Sequence, residues 1–159
     1  LSYAARAELG GGVLPTLDHE IDFINWCFGP PVSISGTSSR SGRLDIDVED
    51  TAHIMMHYPG HAVEIRLSIA ERERRRGFEF GGTEGTLRFS FEQQRLDLSA
   101  GASDKLVWHE PEFDLNLIYL AMLRDALEAI MAGRPMPIPI GAGLDALRVA
   151  SCGRAFDQG

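Results

Sequence analysis

His19, Asp22 and Trp26 are the residues whose types and spacing first invite chemistry. They lie in DHEIDFINWCF, and at 100° per residue they share one side of a helix. Leu17, Ile21, Ile24 and Phe28 form an apolar stripe on the opposite side, with Phe23 and Cys27 along the border. One side can therefore pack while the other presents an imidazole, a carboxylate and an indole together. An imidazole can move a proton near neutral pH. His19 also falls in the first turn, where unpaired backbone N–H groups favour an anion or a polarised oxygen. A core histidine hydrogen-bonded to Asp22 would satisfy the same spacing.

Other constellations are weaker. GAGLDA, residues 141–146, matches the dinucleotide pattern GxGxxA, but that fingerprint needs a second strand with an acid about twenty residues on. The sequence ends at Gly159, so its glycines are expected to open a helix. His53, His57 and His61 are four apart, which on a helix could gather a metal. The local period is two, however, and puts His53 and His57 about 13 Å apart on a strand, so no metal site is expected. DIDVED lacks the glycine and the final glutamate of a calcium loop and reads as a solvated acidic face. ERERRRG, with four arginines and two glutamates, reads as a strand end or a set of ion pairs. Ser151 has neither a GxSxG setting nor a base partner.

The elements that must position these residues are legible in outline. Thr16 or Asp18 is expected to cap the His19 helix, and Gly29-Pro30-Pro31 to stop it. LDIDVED alternates and predicts a half-buried strand. Residues 51–58 and 62–70 predict a hairpin turning at YPGH, and TLRFSF predicts a further strand. Weaker strands are expected at 32–38, 77–81, 95–99 and 105–109. Asp114 is a suitable cap for a helix ending at Gly133 whose apolar residues cover most of its circumference, so burial on more than one side is expected. A last helix is expected over 143–156. The fold class is therefore α+β: many antiparallel strands in a sheet with helices packed on one face. The other sheet face then needs a cover, for which a second copy is the simplest candidate.

The 159 residues suit one domain. A net charge of -8 opposes nucleic acid and anionic membranes as partners, and no apolar run reaches spanning length. The two cysteines, Cys27 and Cys152, read as reduced packing thiols of a cytoplasmic protein, and no signal peptide is seen. The first residue is Leu rather than Met, so the chain is expected to be a piece of something longer.

Several stretches in order resemble one family. RAELGGGVLPTLDHEIDFINWCFG, LDIDVEDTAHIMMHYPGHAVEIRLSI, GGTEGTL and LIYLAMLRDALEAIMAGRPMPIPIGAGLDALRVASCGRAF are similar to the second domain of Gfo/Idh/MocA-type oxidoreductases. The resemblance implies a single C-terminal domain over 1–159 with a large, mainly antiparallel open sheet, which makes oligomer contacts while the opposite side completes a substrate pocket. It implies an N-terminal Rossmann domain, not present in this sequence, that binds NAD or NADP in the intact parent; no cofactor is expected for this chain alone. The implied substrate is a sugar, cyclitol or related polyol. His19 matches the histidine of the family's pocket helix, and Asp22 matches the acid three residues later. Many relatives carry an aspartate four residues before that histidine; here Pro15 stands there, while Asp18 adjoins His19 and Glu20 follows it. The resemblance makes His19 the catalytic candidate. Asp22, Asp18, Arg6, Tyr3 and Trp26 become substrate-binding candidates, and cofactor-contacting residues stay unassigned. A stand-alone binding or assembly module of the same fold is the competing reading.

Overall fold

Three glycines open the fold by letting backbone run against backbone. In the computed structural model, which describes residues 2–154, two short 3-10 turns at Tyr3–Ala5 and Ala7–Leu9 lead into them. Gly10 ends the second turn at φ 77°, in the left-handed region that suits glycine. Gly11 lies against the first turn: a Cβ there would overlap the Tyr3 carbonyl oxygen and stand 2.7 Å from that of Ala4. Gly12 takes φ 125°, and the Glu49 carboxylate occupies the space where its side chain would be.

The first helix, α1 (Val13–Thr16), runs almost directly into α2 (Asp18–Phe28), with Leu17 between them. Neither expected cap forms, because the Thr16 hydroxyl donates back to the Gly12 carbonyl at 2.6 Å and Asp18 is already inside α2. Asp18 and Glu20 instead place negative charge in the first turn, where the helix dipole favours it. Gly29 ends α2 as expected.

Strands β1 (Ser33–Ser39), β2 (Thr51–Tyr58) and β3 (His61–Ser68) form an antiparallel sheet in the order β1-β2-β3. The β2–β3 hairpin turns at Pro59-Gly60, as the YPGH motif predicts. Alternation sorts its faces. Ala52, Ile54, Met56, Ile65 and Leu67 point inward, while His53, Met55, His57, Glu64 and Arg66 share the other face. Onto the inner face pack α1 and the last helix, α4 (Ile140–Arg154), which also packs on α2. Val13, Leu14, Ile21, Ile54 and Met56 are the sealed centre of this core, and Gly153 brings α4 within van der Waals contact of Leu14. The α4 helix begins three residues earlier than expected, and its expected end at Phe156 lies outside the described residues.

The expected strand over LDIDVED does not form; residues 41–50 are irregular. Of its acids, Asp45 and Asp47 are exposed, as a solvated acidic segment requires, whereas Asp50 is buried. Asp47 accepts the Ala7 amide at 2.8 Å, and Asp50, 0% exposed, accepts the Ser41 amide and hydroxyl and the Thr51 hydroxyl. These bonds bind the segment to distant backbone and override its period-two pattern.

The described chain divides into two compact units. The first holds the elements above, up to Glu71 and from Met136 onward; the second is Arg72–Pro135. The second contains β4 (Gly77–Gly81), β5 (Thr86–Ser90), β6 (Arg95–Ala100) and β7 (Ser103–His109), antiparallel in sequence order, followed by α3 (Asn116–Met131). Phe78, Phe80 and Phe89 stack along one face of this sheet, and Trp108 extends the row. Asp114 accepts the Asn116 amide at 2.9 Å but stands one residue outside the expected cap position, which Leu115 holds without a side-chain cap bond. The expected burial of α3 is not met by its own unit: Ala129 alone is buried, and Leu117, Leu120, Leu123 and Leu127 stay exposed. Among the described residues, seven strands with helices make an α+β fold of antiparallel sheets, as expected.

Candidate functional site

The outer side of α2 carries the predicted group. Ile21 and Ile24 are buried on its inner side, and opposite them His19 is 48% exposed at its side chain, Asp22 is half-buried and Trp26 is 81% exposed. His19 is thus not a core histidine. Its Nε2 lies 3.3 Å from Glu20 Oε1, so its close acidic partner is Glu20 rather than Asp22. The Trp26 indole leans on Phe23, with ring centroids 6.3 Å apart. Asp18 is half-buried at the start of the same helix. Chemically this is an accessible imidazole beside a carboxylate, on a rigid helix seated by two sealed isoleucines, with an aromatic surface two turns further on. Such a face can hold a polar ligand and exchange a proton with its hydroxyl.

Beyond α2, the helix end is fixed by an aromatic cluster. Tyr58 stacks on His61 at 4.7 Å, Phe28 touches both, and the Tyr58 hydroxyl donates to the Gly29 carbonyl at 3.1 Å. Burial pushes the Tyr58 hydroxyl above its ordinary pKa, as it does the neighbouring Cys27 thiol. Cys152 is exposed, against the expectation that it packs among apolar neighbours.

Arg6 and Tyr3 lie elsewhere, on the 3-10 turns. Tyr3 is exposed, and Arg6 pairs with Asp47 at 3.6 Å. Beside this pair a polar cleft of about 510 Å³ opens, lined by Ala7, Gly11, Ser38, Arg40, Asp47 and Glu49 among others. None of the six predicted residues lines it: Asp18, His19, Asp22 and Trp26 stand on α2, and Tyr3 and Arg6 on the 3-10 turns. Asp47, Glu49 and Arg40 are polar groups that sequence reasoning missed. The usable signal was Gly11-Gly12, which demanded that something approach that backbone closely.

The histidine triple does not converge. His53 faces Glu64 at 3.8 Å, His57 meets the Ser35 hydroxyl at 3.1 Å, and His61 stacks at the hairpin tip. Among the described residues no group of three His, Cys, Asp or Glu side chains could hold a metal ion. GAGLDA lies within and around the first turns of α4, with no strand feeding it, so these residues do not make a dinucleotide cradle. Among the described residues no helix is long and apolar enough to cross a membrane.

Comparisons with known proteins agree with the fold. A family model described as the GFO/IDH/MocA C-terminal domain matches residues 2–88. No protein of curated function matches the chain in sequence. Among solved structures, biliverdin reductase from Synechocystis, in complex with biliverdin and NADP+, is similar with a TM-score of 0.80 at 16% identity, over 99% of this chain and 50% of that one. UDP-N-acetylglucosamine 3-dehydrogenase from Acidithiobacillus ferrooxidans gives 0.74 at 22% identity, over 89% and 45%. An oxidoreductase from Agrobacterium radiobacter in complex with NAD+, L-tartaric acid and magnesium gives 0.73 at 17%, again over 89% and 45%. At such identities the likeness carries the fold, and the chain spans about half the length of each of these proteins.

Proposed function

The chain belongs to the GFO/IDH/MocA C-terminal domain family, and from that premise we propose that it is the substrate-pocket and assembly half of an NAD- or NADP-dependent oxidoreductase of the cytoplasm. The proposed substrate is a sugar, cyclitol or related polyol. One observation carries the reading: α2 turns His19 and Asp22 away from its buried isoleucines and toward solvent, where a ligand can reach them. Redox chemistry belongs to the nicotinamide held by another domain. This chain's own part is to hold a substrate hydroxyl at the His19 imidazole and to accept its proton as the carbon beneath it is oxidised. Glu20, 3.3 Å from Nε2, is the carboxylate beside that imidazole. Asp22 and Trp26 orient the rest of the ligand.

The test compares the 159-residue chain with a longer protein that joins it to a cofactor-binding domain. With NAD and NADP, over a panel of sugars, cyclitols and polyols, the longer protein is expected to turn over and the chain alone is not. Calorimetry is expected to find only weak NAD binding by the chain alone. Tight binding there, or no turnover of any panel member by the longer protein, would reject the reading.

The assembly role rests on the open face of β1–β3. Met55 sits at its centre, flanked by Ser35 and Glu64 across the ladders, and a hollow of about 190 Å³ opens beside it. Glu64 and Arg66 stand two apart on that face, so a two-fold related copy can set each against its opposite. Wild-type chain is expected to sediment as a dimer or larger species. Met55→Arg, which puts charge at the centre of the contact, is expected to shift it to monomer. A wild-type monomer at high concentration would remove this role.

A further inference from the structure

The outer residues of α2 make a track rather than a point. At 100° per residue, Trp26 falls within about 20° of His19 around the helix, Phe23 within about 40° and Asp22 within about 60°. At 1.5 Å per residue, Trp26 stands about 10 Å from His19 along the axis. Its indole is 81% exposed, and Phe23 backs it with ring centroids 6.3 Å apart and planes tilted by 30°. The backbone beneath is fixed. The Asn25 carbonyl accepts the Gly29 amide at 2.8 Å, and the Gly29 carbonyl accepts the Tyr58 hydroxyl at 3.1 Å. A flat, open indole is thus held on the same side of the helix as the imidazole, two turns away.

An indole face takes the flat apolar face of another ring, whether an aromatic ring or the C–H face of a sugar. Holding that indole in place beforehand lowers the entropic cost of binding. A single six-membered ring whose hydroxyl sits at His19 does not reach a surface about 10 Å along the axis. A second ring joined to the first does. The link between the two rings then passes Asp22, one turn from His19, where a half-buried carboxylate can accept hydrogen bonds from hydroxyls. We propose that the substrate has two rings: an oxidisable sugar or cyclitol ring at His19, joined by a glycosidic link to a second ring that stacks on Trp26. The inference rests on the role given to His19 above, and it makes Trp26 the residue that selects for the second ring.

The test uses the longer protein that joins this chain to a cofactor-binding domain. The single-ring sugar or cyclitol that it turns over best is compared with its glucosyl and its phenyl derivatives, linked at a hydroxyl other than the one oxidised. A KM about tenfold lower is expected for at least one derivative, at similar kcat. A gain with the glucosyl derivative alone assigns a sugar as the second ring, a gain with the phenyl derivative alone assigns an aryl group, and equal gains mean that any flat ring serves. Trp26→Ala is expected to bring the KM of the favoured derivative back to near that of the single ring. Trp26→Phe keeps a ring and is expected to retain most of the gain. Equal KM for all three compounds would overturn the proposal and leave the role of His19 standing. So would an equal fold-loss on single- and two-ring substrates in Trp26→Ala, which would mean that the indole packs against the other domain. No turnover of any single-ring compound would remove the reading of His19, and this inference with it.

Discussion

In a protein that joins this domain to a cofactor-binding half, His19→Ala is expected to lower kcat by about 10²- to 10⁴-fold, the usual contribution of a positioned general base. The fold should not notice. The His19 side chain is 48% exposed and makes one close polar contact, to Glu20, so its removal falls among surface changes worth within about 0.5 kcal/mol. Activity and stability therefore separate cleanly at this position. His19→Gln keeps a hydrogen-bonding group but cannot take a proton, and should recover substrate affinity more than turnover. The wild-type pH–rate profile should carry one ionisation that His19→Ala lacks. A loss of kcat below about threefold would show that the imidazole merely lies beside the pocket. Glu20→Gln is the milder companion change, since it removes a neighbouring charge but leaves the base in place.

What the sequence made legible follows from how local each cause is. The α2 helix ends where Gly29 and two prolines end it, and the β2–β3 hairpin turns where Pro59 and Gly60 turn it, because the signals sit inside the elements they shape. The two faces of α2 were readable for the same reason. The segment 44–49 misled because alternation reports side-chain polarity and says nothing of where a polar group finds its partner. Asp47 finds one forty residues away at Ala7, which no local period records. The polar cleft was hidden likewise: it joins the turn at Ala7–Gly11 to Ser38–Glu49, and only the folded chain brings those together. The arginine run shows the reverse case. Its composition was plain, but Arg75 meets Glu73 while Arg74 meets the ring of Phe91.

Asp50, whose partners likewise lie outside its own strand pattern, is the position where one substitution should harm the fold most. Its backbone continues the sheet, with its N–H donating to Ser39 and its carbonyl accepting from Ile69. Its sealed carboxylate accepts the Ser41 amide at 3.0 Å, the Ser41 hydroxyl at 2.7 Å and the Thr51 hydroxyl at 3.1 Å. Asp50→Ala leaves three donors without their acceptor and loosens the loop that lines the cleft. A cost of about 3 kcal/mol is expected in denaturant titration at neutral pH. Asp50→Asn keeps the shape but offers one acceptor oxygen in place of two, and should cost less. Burial by itself would raise the Asp50 pKa; the Ser41 and Thr51 hydrogen bonds, helped by the Arg43 charge, outweigh it and leave the group below its ordinary value. The sign of the pH effect follows. With the folded pKa depressed, the stabilisation is fully present above the unfolded value near about 4 and is lost as pH falls through the folded one. Wild-type protein should therefore lose stability on acidification below about pH 4 more steeply than Asp50→Asn, and the two curves should converge. Parallel curves over that range would mean that the Asp50 charge contributes nothing, and that the clasp is held by shape alone.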